Sequence, residues 1–242
     1  MAKKRDAYIN HTPAFLEAYF RHQYKYLFED VEDEERFFIR ISQHFPTYSP
    51  EYKMIKKAHD IALSWAIGKH RENGQSVMSH FRAVALIVMI QMRCSDADVI
   101  CACLLHDIVE DDPKNWNFAR IERNFNARVA AMVEEVSHLP KEYGGTRFQR
   151  DQMTYKRQRI MSREGAMIKI ADRFHNLFTL WPPVAEEKRM RIVYESAYHY
   201  CGLAEYHGYM YWDLRWMIDF HESRPHFTGW INTPTKKKQK RK

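Results

Sequence analysis

Apolar side chains recur along most of this chain at spacings of three and four residues, and no stretch alternates apolar with polar residues for the length of a strand. That period belongs to helices packed through one face, so the sequence predicts an all-α fold. Several helix starts carry a polar cap followed by proline. Thr12-Pro13 opens a predicted helix over 14–28, and Ser49-Pro50-Glu51 opens one reaching about residue 70. Ser95-Asp96 caps the helix that runs into His106, and further helices are expected over 81–92, 118–125, 127–138, 148–161 and 163–180. Pro182-Pro183 then breaks the chain. Residues 184–221 read as one or two long helices crowded with rings, among them Tyr194, Tyr198, Trp212 and Trp216; aromatics at helical spacing are packing residues, so this part is expected to be a supporting layer.

These signals divide the 242 residues into an N-terminal helical extension (1–48), a core (49–181), an aromatic-rich helical layer (182–231) and a disordered basic tail (232–242). Within the extension, acidic residues 29–35 are expected to form a solvated bend. The chain is long enough for one compact body with a substantial core. Its longest apolar run, 83–90, falls far short of the ~20 residues that cross a bilayer, and its charged start has no signal-peptide core. No membrane span is expected, and the sequence predicts a cytoplasmic protein. Cys101 and Cys103 diverge on an apolar helix, so with Cys94 and Cys201 they read as reduced packing residues, not as a zinc pair or a disulfide framework.

The formal charge of +7 changes meaning once it is located. Six positive charges lie among the last seven residues, which leaves the rest of the chain at +1 and removes the case for a general DNA-binding face. Such a tail repels itself, stays accessible and could contact an acidic partner.

The chemistry concentrates at the end of the apolar run 99–105, where His106-Asp107 is followed by Glu110-Asp111. Ionisable groups at the end of an apolar helix are costly unless a cation or hydrogen bonds compensate them, so the cluster predicts a metal ion with catalytic groups beside it. On a helix His106 lies under Glu110 and Asp107 under Asp111. The inner pair offers one nitrogen and one oxygen to a divalent metal, and the outer carboxylates can orient or deprotonate a water. More ligands must come from elsewhere, with His80 and Asp172 as candidates. On the residues alone, His80 could equally cap a helix, and Asp172 could pair with Arg173 or Lys169.

Longer strings carry a resemblance. CLLHDIVEDD (103–112) and IKIADRFHNLFTL (168–180) resemble the ALLHDVVEDT and IKLADRLHNLRTL segments of the HD-superfamily hydrolase domain of RelA/SpoT-type alarmone enzymes, including the small stand-alone alarmone hydrolases. HRENGQSVMSHFRAVA (70–85) and IERNFNARVAAMVEEVSHL (121–139) match in the same order. The resemblance implies an HD-type helical bundle that removes the 3′-pyrophosphate from (p)ppGpp, giving GDP or GTP and pyrophosphate. It implies His80, His106, Asp107 and Asp172 as ligands of one Mn²⁺, Glu110 and Asp111 as the acids that handle water, and Arg71 and Asn176 as contacts to a guanine nucleotide. His175 is expected to pack or to support a ligand. The chain departs from the family in four places: Phe81 replaces a proline and Gln75-Ser76-Val77 replaces a G-x-P-Y-type approach, which together could tilt His80; Asn126 replaces a turn glycine; and Glu72 stands where a basic residue is usual. A carboxylate there would repel a polyphosphate, so two alternatives stay open. One is an HD hydrolase acting on another nucleotide, and the other is a catalytically silent nucleotide sensor.

Overall fold

The computed structural model describes residues 12–140, 143–180 and 184–223. Among them all regular structure is helical, apart from one isolated antiparallel bridge between His70 and Ser76. The predicted basic tail lies outside the described residues, as does Pro182-Pro183. No helix among the described residues is long and apolar enough to cross a membrane.

The first layer holds α1 (Pro13–Gln23), α2 (Tyr26–Glu29) and α3 (Glu34–Ser42). The core follows with α4 (Pro50–Ala66), α5 (Val77–Leu86), α6 (Ala97–Leu105), α7 (Ile108–Asp111), α8 (Phe118–Asn124), α9 (Ala127–Val136), α10 (Arg147–Gln158) and α11 (Arg163–Phe178). Three further helices, α12 (Glu186–Glu195), α13 (Cys201–His207) and α14 (Tyr211–Ser223), close the described chain. Caps anticipated from sequence are made: Thr12 accepts from the Phe15 N–H, Ser49 from Tyr52 and Asp96 from Asp98. Each satisfies an amide that the first helical turn leaves without a partner.

Three helices form the centre. Every residue of α5 from Met78 onward is buried, as is all of α6 except Asp98 and nearly all of α11. α6 packs on α4, α5 and α9, and α11 packs on α5 and α9. Helices apolar all round belong in an interior, and here that interior holds the ionisable residues singled out above. The four cysteines are free, with Cys101, Cys103 and Cys201 buried.

The structure corrects several boundaries. The predicted helix over 14–28 breaks at Tyr24, whose ring is fully buried against Phe174 at 4.5 Å between centroids, and resumes as α2. α4 stops at Ala66, because Gly68 takes a left-handed φ of +73° and starts the loop that delivers Arg71. α5 begins at Val77 under a Ser76 cap, so His80 lies inside the helix instead of at its start, and its end loosens into a π-helical turn, Ile87–Gln91. The helix through His106 is interrupted between Leu105 and Ile108. The region 184–221 is three helices with a π-helical turn, Ser196–Tyr200, and a break at Gly208 (φ +75°). In the acidic bend, Glu32, Asp33, Glu34 and Glu35 are exposed, whereas Asp30 is buried and held by Arg40 at 2.8 Å.

The N-terminal helices back the core directly. Phe20 meets Phe174 and Phe220, and Phe28 meets Phe178. Arg82, buried on α5, donates to the Val31 carbonyl and to His59 Nε2 at 3.1 Å each. Burial pushes His59 down to about 4, so at neutral pH the ring is uncharged and can accept from Arg82. Phe20→Ala should therefore destabilise the whole body by about 3–5 kcal/mol, read as one urea unfolding transition shifted to a lower midpoint. An unchanged midpoint, or an early separate transition of the N-terminal segment, would contradict this packing.

Candidate metal centre and active site

Each of the three buried helices brings one part of the cluster. His80 comes from α5, His106-Asp107 from the junction of α6 and α7, and Asp172 from α11. His80 Nε2 lies 3.4 Å from Asp172 Oδ1 and 3.9 Å from Asp107 Oδ2, while His106 Nε2 lies 3.1 Å from Asp107 Oδ2 and 3.9 Å from Asp172 Oδ1. Ligand atoms of His80, His106 and Asp172 thus all lie within 4.8 Å of one another, with Asp107 Oδ2 at the edge of the group beside both imidazoles.

The donor set fits a divalent ion. His106 Nδ1 donates to the Cys103 carbonyl at 2.8 Å, which turns Nε2 toward Asp107 Oδ2 and leaves that buried atom without a well-formed hydrogen bond. His80 meets His175 at 2.8 Å between their Nδ1 atoms; with a proton there, His80 presents its Nε2 lone pair to the cluster. An outer partner that orients a ligating imidazole in this way is usual at metal sites. His175 therefore supports a candidate ligand. Phe81, the departure expected to tilt His80, leaves it in place by packing between the Trp65 and His106 rings at 5.8 and 5.3 Å.

The interruption of the helix at His106-Asp107 corrects the simple stacking of His106 under Glu110, although the Asp111 amide still bonds the Asp107 carbonyl at 3.0 Å. Glu110 Oε1 accepts from the His138 backbone N–H at 2.8 Å, a contact between distant segments that no local pattern announces. On α11, Asn176 donates to Asp172 Oδ1 at 2.6 Å and accepts from Arg71 at 2.7 Å. Asp172 Oδ2 lies 3.3 Å from the buried ammonium of Lys169, one turn earlier. Lys169 had entered the sequence reading only as a competing partner for Asp172; its place inside the apolar string IKIAD was the available signal. Glu72 is exposed and paired with Lys188 of α12.

Electrostatics follow from this crowding. Burial and then the Arg71 charge push His80 down to about 4. Burial acts the same way on His106, but the Asp107 carboxylate overrides it and lifts His106 to about 9; the reciprocal effect holds Asp107 down to about 2 against its own burial. Lys169 likewise overcomes burial to hold Asp172 well below the carboxylate range. Surrounding protein, then the Asp107 charge, raises Glu110 to about 7 and also raises Asp111, although both residues open to solvent.

With that geometry in view, comparison with known proteins is decisive. The HD domain matches residues 56–210. The chain belongs to the HD-domain family. HD domains bind divalent metals, and the His80, His106 and Asp172 cluster with Asp107 at its edge is a donor set of that kind. The bifunctional (p)ppGpp synthase/hydrolase SpoT of Escherichia coli K12 is 31% identical over 172 residues, covering 69% of this chain and 24% of that protein. A guanosine-3′,5′-bis(diphosphate) 3′-pyrophosphohydrolase of Haemophilus influenzae is 35% identical over 140 residues, covering 57% and 20%. This HD protein thus spans about a quarter of the length of those curated relatives, or less. A solved structure of a metazoan ortholog of SpoT, described as hydrolysing ppGpp and acting in starvation responses, superposes with a TM-score of 0.60 at 20% identity, covering 72% of this chain and 97% of that one. At that identity the likeness is one of fold.

In the metal-free protein a proton on His106 takes the place of a cation. Below pH about 9 a divalent metal must displace that proton, so its affinity should rise up to about tenfold per pH unit as pH increases toward that value. Calorimetry in buffers of different ionisation enthalpy should show about one proton released per ion. A pH-independent affinity would remove His106 from the donor set.

Proposed function

We propose that this protein is a Mn²⁺-dependent phosphohydrolase that removes the 3′-pyrophosphate of ppGpp or pppGpp, giving GDP or GTP and pyrophosphate, in the cytoplasm. The observation that carries the reading is the meeting of His80, His106, Asp107 and Asp172 at one point beside Glu110, in an HD domain whose sequence relatives include 3′-pyrophosphohydrolases.

When bound, the ion supplies Lewis-acid polarisation of a phosphoryl oxygen and lowers the pKa of water. The chain does the rest. His80, His106, Asp107 and Asp172 hold the ion. One oxygen of Glu110 is tethered by the His138 amide, which leaves the other to take a proton from the water attacking the 3′-linked phosphorus and to return it to the ribose 3′-oxygen as that P–O bond breaks. Asp111 aligns that water for in-line attack. Arg71, already oriented by Asn176, presents a guanidinium face to the guanine base, and Asn176 ties the nucleotide contact to the carboxylate of Asp172.

Glu72 is the residue that left another nucleotide open as substrate. Its pairing with Lys188 supports the polyphosphate instead, since the ammonium from α12 offsets the Glu72 carboxylate that would otherwise repel a phosphate. Both side chains are about half exposed, so the pair is weak and can open for a phosphate.

Incubation with ppGpp and Mn²⁺ should release GDP and pyrophosphate. Release of orthophosphate, or turnover of a different nucleotide in a panel, would redirect the substrate; nucleotide binding without turnover would point to a sensor. Glu110→Gln should keep Mn²⁺ binding and lose about 10²–10⁴-fold in kcat, whereas Asp107→Ala should lose binding and turnover together. Lys188→Ala should raise KM about three- to tenfold with kcat nearly unchanged, an effect that fades at high salt. Full activity in Glu110→Gln would refute the assigned chemistry.

A further inference from the structure

A groove of about 880 Å³ runs along the outer face of α4, walled on its other side by the segment after α7 and by α8. None of the candidate site residues lines it. Its walls interleave the rings of Tyr52, Trp65 and Trp116 with the cations Lys53, Lys57 and Arg120. A volume of this size is within the range of small-molecule sites, about 300–1,000 Å³.

The charge arrangement is the informative part. Lys53 and Lys57 are four apart on α4 and so lie on one helix face, a spacing at which like charges destabilise a helix. Arg120 from α8 adds a third cation, although the body without its tail is nearly neutral. Two acids share the groove, Asp60, which Lys56 holds at 3.1 Å, and Asp112, which accepts from the neutral Asn115 amide and so keeps its charge, against the four cations Lys53, Lys56, Lys57 and Arg120; Lys57 also donates to the Asn124 carbonyl. A surplus of positive charge remains. The Arg120 guanidinium lies over the Trp116 ring at 4.4 Å, a stacked pair that offers a planar cation to a further ring. Cations spaced for phosphates next to a stacking platform form the chemistry that recognises a nucleotide.

We propose that this groove is a second ligand site, separate from the metal centre, that binds a nucleoside phosphate with its base on the Arg120–Trp116 pair and its phosphates against Lys53 and Lys57. The inference is independent of the hydrolase reading. It also gives the groove a physical link to the centre, because Trp65 stacks on Phe81, whose ring meets His106.

The test titrates the full chain with ATP, GTP and inorganic tripolyphosphate while following the indole N–H resonances of its six tryptophans, assigned by Trp65→Phe and Trp116→Phe. Saturable shifts of the Trp65 and Trp116 signals are expected with either nucleotide. They should persist in Arg71→Ala and weaken at least about tenfold in the exposed double variant Lys53→Glu/Lys57→Glu, whose fold is checked by its unchanged remaining resonances. Trp116→Ala should weaken binding about five- to hundredfold, the range of a lost stacking contact. Absence of those shifts, their loss in Arg71→Ala, indifference to the double charge reversal, or equal affinity for tripolyphosphate would each overturn the proposal.

Discussion

The structure depends on keeping a cluster of charges inside an apolar interior. His80, His106 and Asp172 are all buried, on or at the end of helices that are otherwise packing surface on every side. Isolated, such charges would not be tolerated. Here each charge is answered by another, His106 by Asp107 and Asp172 by Lys169 and Asn176, while His80 stays neutral between Asp172 and His175. A divalent ion at the same point would take over the pairing with Asp107 that the proton on His106 makes. The cluster is thus both a destabilising concentration of charge and the reason for its own rigidity, since each group is positioned by the next.

That burden explains the layers around the centre. α11 shows Asp172 and Asn176 to the cluster and, on another face, Phe174 and Phe178 to the rings of the N-terminal helices. From the C-terminal side, Arg173 lies over the Tyr200 ring at 4.2 Å and pairs with Glu195, and His221 Nε2 bonds the Leu177 carbonyl at 2.7 Å. Only part of that aromatic richness is packing tied to the site helix: Tyr200 is buried, whereas Tyr194, Tyr198, Tyr206 and Trp212 are exposed, against the expectation that these rings pack. Phe81 serves the same end: its ring packs against both His80 and His106.

Loops complete what the helices begin. Gly68 ends α4 and frees the segment that carries Arg71 to Asn176, and the break at His106-Asp107 turns both side chains toward the helices that supply their partners. The segment after α9 supplies the amide that fixes Glu110. Two of these three features are departures from regular helix, and all three lie where chemistry is placed. Local regularity yields at such points because the surrounding packing holds the irregular conformation.

Much of this was legible in one dimension. Helical period, polar caps and the near absence of glycine determined an all-α chain and most of its segments, because those signals act within a turn or two of the residues that carry them. The doublet His106-Asp107 at the end of an apolar run announced buried chemistry for the same local reason, and the resemblance of 70–85 and 168–180 supplied His80 and Asp172 as partners. Only the tertiary structure decided that His80, His106 and Asp172 converge with Asp107 at their edge, that His175 and Lys169 stand behind them, that the His138 amide holds Glu110, and that Lys188 covers Glu72. Those contacts join residues far apart in the chain or on different helices, or turn on which face of α11 points inward. They are set by how buried helices pack and by where charge can find compensation, which no local window of sequence contains.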